Sequence, residues 1–136
     1  MTTAPAVRRP TARHQVVLCS CGRGVATRLR AALESPDLDL EHCRPDASIL
    51  EEVIRRRPAV LLYELHETRH SDLAVLQLLR RAVPDVRLVL IGSGTFETER
   101  IVRDLRPVYF AMQPVDEDEM IEAVRSALGE QERRRA

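Results

Sequence analysis

The segment Pro58-Ala59-Val60-Leu61-Leu62-Tyr63-Glu64-Leu65 is apolar from Ala59 onward except for Glu64. A strand with one wet face alternates polar and apolar residues. One that does not alternate is covered on both faces, as in a parallel sheet layered by helices. Pro58 ends the helix before it, in which Asp46 and Ser48 are candidate caps. That helix is expected to turn Ile49, Leu50, Val53 and Ile54 inward and Glu51, Glu52, Arg55 and Arg56 outward. Downstream, the polar loop 66–71 leads to a helical stripe of Val75, Leu76 and Leu79. Pro84-Asp85 then turns the chain into Leu88-Val89-Leu90-Ile91, and Gly92-Ser93-Gly94 ends that run.

The same punctuation continues toward both termini. Val16-Val17-Leu18-Cys19 is a first strand, broken by Gly22 and Gly24 before a helix striped by Val25, Leu29, Ala32 and Leu33. After Ser35-Pro36-Asp37, residues Leu38 to Cys43 alternate, which suits a strand at a sheet edge. Ile101, Val102 and Leu105 mark a short helix, Val108 to Met112 a fifth strand, and Gln113-Pro114 its end. Asp116 and Glu119 have capping-box spacing ahead of a last stripe of Met120, Ile121, Val124 and Leu128. Strand and helix alternate five times, and right-handed crossovers make this an α/β fold, an open doubly wound parallel sheet of order 2-1-3-4-5. The expected organisation is a flexible tail over 1–14, one domain over 15–129 and a C-terminal tail over 130–136. Such sheets bind ligands beyond the strand carboxyl ends where the winding reverses, which directs attention to Cys19 through Gly22 and to Glu64.

Composition narrows the function. The chain has 136 residues, 44% hydrophobic and 31% charged, with 21 basic against 21 acidic side chains and zero formal charge. No whole-molecule field draws it to nucleic acid or anionic membrane. Every basic residue is arginine, which excludes P-loop and Schiff-base lysine chemistry. No apolar run reaches the roughly 18 residues of a membrane span, and the start has no hydrophobic signal region, so the expectation is a soluble, cytoplasmic protein. Cys19, Cys21 and Cys43 are an odd number without a secretion signal and are expected as reduced thiols.

From Gln15 to Leu128 the chain resembles response-regulator receiver domains, whose fold is flavodoxin-like (CheY-like). Tyr109-Phe110-Ala111-Met112-Gln113-Pro114-Val115-Asp116 with the acidic-capped helix after it is similar to the family's fifth strand, Lys-Pro and last helix. Pro58 through Leu65 resembles the strand that ends in the phosphorylated aspartate. The resemblance implies that Ser20 and Cys21 stand where an acidic pair helps hold Mg²⁺, Glu64 at the phosphorylated aspartate, Gly92 at a Ser/Thr and Gln113 at a lysine. All are altered. Mg²⁺ prefers an octahedron of oxygen ligands that usually includes carboxylates, and a glutamate beside a hydroxyl and a thiol suits it poorly. Gly92 has no hydroxyl and Gln113 no charge for a phosphoryl group. The resemblance therefore implies a stand-alone pseudo-receiver: not an enzyme, without a cofactor, and not phosphorylated by the usual Asp/Mg²⁺ route. Glu64 either supplies a permanent negative charge at the phosphoryl position or is a strand-end carboxylate facing solvent. Phe110 stands at the family's coupling aromatic or is a packing residue. The surface of the fourth helix, fifth strand and last helix is the implied docking face for a protein partner or a second copy, with Arg100, Arg103, Tyr109, Phe110, Asp118 and Glu122 upon it.

Other signals compete. A receiver phosphorylated on a non-standard acceptor is one alternative. Cys21-Gly22-Arg23-Gly24-Val25-Ala26-Thr27 resembles the Cys-centred phosphate loop of phosphotransferase-system IIB domains, making Cys21 a phosphocysteine alternative. His66-Glu67-Thr68-Arg69-His70 matches the H-E-x-x-H letters of zinc peptidases, but follows a strand where a helix is needed and lacks a recognisable third ligand. His42 and Cys43 with Cys19 or Cys21 could meet a soft metal, at unspecific spacing. Arg133-Arg134-Arg135 and the basic N-terminal tail come without an aromatic platform or a DNA-binding module, so no nucleic acid partner is expected.

Overall fold

The apolar run after Pro58 forms β3 (Val60–Glu64), the middle strand of a five-stranded parallel sheet of order β2-β1-β3-β4-β5. The other strands are β1 (His14–Cys19), β2 (Leu38–Cys43), β4 (Arg87–Gly92) and β5 (Tyr109–Met112). The helices are α1 (Gly24–Leu33), α2 (Ser48–Arg56), α3 (Ser71–Ala82), α4 (Thr98–Leu105) and α5 (Glu117–Arg135). The computed structural model describes residues 14–20, 24–34, 38–44, 48–65, 71–92, 98–112 and 116–135. The expected α/β class and strand order are those observed. Alternation in β2 reflects its edge position, with Leu38 and Leu40 buried and Asp39 and Glu41 partly exposed. Arg30 of α1 donates to the Leu40 carbonyl at 3.1 Å.

The sheet separates two apolar layers. Val16, Leu18, Val60, Leu62, Val89 and Ile91 face α1 and α5, where Leu29, Leu33, Met120, Val124 and Leu128 cover them. Val17, Cys19, Leu61, Tyr63, Leu88 and Leu90 face the opposite layer, built from Ile49 and Val53 of α2, Leu76 and Leu79 of α3 and Leu105 of α4. The central strands therefore have no polar face, which is why their sequences do not alternate.

Three expectations are corrected. Ile54 is 42% exposed rather than inward. Ile49 and Val53 centre the stripe of α2, and Ile54 lies about 100° round the helix from Val53. β1 starts at His14, before the first apolar residue, because His14 and Gln15 pair with Leu38 and Asp39, and Gln15 accepts the Ala59 N–H at 2.8 Å. Residues 130–135, expected as a tail, continue α5. No apolar stripe extends beyond Leu128, but Glu, Gln and Arg are strong helix formers and carry the helix on.

Backbone accounting explains the turns. Arg57 and Arg106 have φ of 48° and 49°, left-handed conformations that end α2 and α4 immediately before Pro58 and Pro107. Arg80, in the last turn of α3 and 9% exposed, donates to the carbonyls of Pro84 and Val86 at 3.0 and 2.9 Å, and of Leu105 and Arg106 at 2.9 and 3.3 Å. One guanidinium thus holds the α3–β4 and α4–β5 turns together. Burial, and then Arg106 and Arg87, lower its pKa.

Candidate functional site

The carboxyl ends of β1 and β3 place Ser20 beside Glu64. Cys19 is in register with Tyr63, so the next residue on each strand stands level with the other. Ser20 is 1% exposed; its N–H donates to the Cys43 carbonyl at 3.2 Å. His42 Nε2 lies 3.1 Å from both the hydroxyl and the carbonyl oxygen of Ser20. Whether Nε2 donates to the carbonyl or accepts from the hydroxyl, the pair clasps β1 to β2.

Glu64 is half-buried at the end of β3, and Leu65 beyond it donates to Ile91 at 2.7 Å. Tyr63, on the opposite face, donates its buried hydroxyl to Asp72 Oδ1 of α3 at 2.9 Å, tying the strand to the helix that follows. Among the described residues, no group of three or more His, Cys, Asp and Glu side chains could hold a metal ion. Of the described residues that the receiver resemblance places at the phosphoryl-transfer site, Ser20 provides a buried hydroxyl next to His42, Glu64 one carboxylate, and Gly92 no side-chain oxygen.

Gly92 is buried at the end of β4, and the ring of Phe110 occupies the space its side chain would need. A Cβ at residue 92 would stand 2.8 Å from Phe110 Cζ, 3.2 Å from Cε1 and 3.8 Å from Leu65 Cδ1. Phe110 is half-buried and packs against the α2–α4 layer. Cys21 and Gln113 lie outside the described residues, as do His66 through His70 and Asp46.

The remaining surface candidates fall as follows. Arg100 and Arg103 are exposed on α4, and each Nε lies 3.6 Å from an oxygen of Asp104. Asp118 and Glu122 are exposed on α5. Asp116 caps α5, its Oδ1 accepting the Asp118 N–H at 3.1 Å. Glu119, however, accepts a hydrogen bond from the Tyr109 hydroxyl. That bond, with burial and the carboxylate charge behind it, raises the Tyr109 pKa. At the far end of β5 from Tyr109, Met112 is 41% exposed. The sequence reading missed the His42 clasp, the Arg80 latch and the Tyr109–Glu119 bond. Only Glu119 carried a signal, its capping-box spacing, and that signal named a different partner.

No family model matches the sequence, and no curated protein does. The likeness to solved structures is one of fold, and many of those structures are response-regulator receiver domains. The receiver domain of AraT, a response regulator from Geobacillus stearothermophilus, aligns with a TM-score of 0.76 at 16% identity over 90% of this chain and 98% of its own. The signal receiver domain of an HD domain-containing protein from Pseudomonas fluorescens Pf-5 gives 0.75 at 20% identity, over 92% and 93%. A sensor protein from Polaromonas sp. JS666 gives 0.72 at 23% identity, over 88% and 98%. The chain has the receiver fold. No helix among the described residues is long and apolar enough to cross a membrane.

Proposed function

We propose that the protein is a pseudo-receiver that acts through contact with another protein and is not switched by aspartyl phosphorylation. The observation that carries this reading is the Phe110 ring over Gly92. Space for a hydroxyl that would contact a phosphoryl group is taken by an aromatic ring 2.8 Å from an ideal Cβ. Ser20, where the receiver resemblance calls for a carboxylate, is engaged by His42. Phosphoryl transfer depends on metal and charge stabilisation that these side chains do not offer.

The docking face proposed is α4, β5 and α5, with Arg100 and Arg103 exposed on α4, Asp118 and Glu122 exposed on α5, and β5 the edge strand between them. The partner is another protein or a second copy. The test is incubation with a small-molecule phosphodonor and Mg²⁺, followed by intact-mass measurement. An unchanged mass is expected; a stoichiometric, base-labile acyl phosphate on Glu64 overturns the reading. The docking face is tested by affinity capture with Arg103→Glu, which is expected to lose partners held by the unaltered chain.

A further inference from the structure

Cys19 and Cys43 stand opposite one another at the ends of β1 and β2. Register partners on neighbouring parallel strands point to the same face, and both thiols contribute to the layer beneath α2. Both are reduced. Neighbouring strands run about 4.8 Å apart, within the roughly 4.4–6.8 Å between Cα atoms that a disulfide spans. β2 is an edge strand, so its last residue can move toward β1 without breaking a pairing on its other side.

The two thiols are not equivalent. Cys19 is fully buried, whereas Cys43 is half-buried. The Arg56 guanidinium is held chiefly by Glu52, 2.7 Å away, and by Glu41 at 3.8 Å, and Cys43 is the weakest of the electrostatic influences upon it. A neighbouring cation favours the thiolate, the form that reacts with oxidants. A half-buried thiol with a fully buried thiol in register beside it has the arrangement of an attacking cysteine and its resolving partner.

We propose that Cys43 and Cys19 form a redox-sensitive dithiol that a peroxide converts to a disulfide across β1 and β2. The Cys43 thiolate attacks one peroxide oxygen, the O–O bond breaks, and with one proton taken up the products are a sulfenic acid and water or an alcohol. The Cys19 sulfur then displaces the sulfenic oxygen, which leaves as water with the thiol proton. Two electrons have passed from the thiols to the peroxide. Ser20 follows Cys19 and His42 precedes Cys43, so the new bond forms on the opposite face of the sheet from the clasp, one residue away along each strand. This inference does not depend on the pseudo-receiver reading.

The test uses the full chain carrying Cys21→Ser, with its circular dichroism compared to the unaltered protein. After hydrogen peroxide, remaining thiols are alkylated under denaturing conditions and the mass is read. The expected product is a monomer lighter by two hydrogens that takes up no alkylating agent. Its tryptic peptide 14–23 is joined to the peptide bearing Cys43, and dithiothreitol restores both thiols. Adding Cys43→Ser abolishes the link. Two alkylatable thiols after peroxide, a sulfinic acid at Cys43, or an intermolecular disulfide in place of the internal one overturns the proposal.

Discussion

The backbone at Gly92 is outside the left-handed region, so alanine is conformationally acceptable there and the obstacle is space alone. Gly92→Ala must displace the tip of the Phe110 ring, and overpacking of this kind costs about 1–3 kcal/mol. Urea denaturation is expected to show that loss, and Phe110→Leu, which lacks the clashing ring atom, is expected to recover most of it in the double variant. Additive losses would mean that the two residues do not share the space. Tyr109 makes a prediction in pH. Its protonated hydroxyl is the bonded form, so the folded pKa lies above the unfolded value of about 10. The stabilisation is complete below that value and is lost as pH rises through the folded pKa. Phenolate absorbance, read as the difference between the protein and Tyr109→Phe, is expected to titrate above pH 10; a midpoint at or below it removes the bond to Glu119.

Between elements, Arg80 joins pieces that neither propensity nor periodicity relates. Its planar fork reaches four carbonyls in two turns, a geometry that an ammonium at a single point cannot reproduce. Arg80→Lys is expected to lower stability by about 2–3 kcal/mol, the scale of buried hydrogen bonds from a charged group. An unchanged denaturation midpoint would show the latch to be unimportant. The elements themselves were legible because each has a local cause. Proline and left-handed arginines stop α2 and α4, the uninterrupted apolar run of β3 reports burial on both faces, and alternation in β2 reports an edge. Ile54 was misread for a local reason as well. A nine-residue helix presents a narrow stripe to the sheet, and the sequence does not say which of two adjacent apolar residues sits at its margin.

In the whole molecule, stability is expected to follow sheet position. β1, β3 and β4 are each paired on both sides and sandwiched by apolar layers, whereas β2 and β5 each have one open edge. Hydrogen exchange is expected to protect amides of the central strands most and to release β2 and β5 earlier; equal protection across the sheet would contradict this ordering. The candidate site was legible to the extent that strand ends at a winding reversal can be found from element order, which pointed to Cys19 through Gly22 and to Glu64; Gly92 came only from the receiver resemblance. Element order and the two-layered parallel sheet were determined by sequence alone, because burial on one face or two imposes its own period on neighbouring residues. Only the tertiary structure decided that Phe110 fills the side-chain space of Gly92, that His42 holds Ser20 and that Cys19 faces Cys43. Those contacts join residues far apart in the chain, and they depend on strand register and twist, which no local pattern encodes.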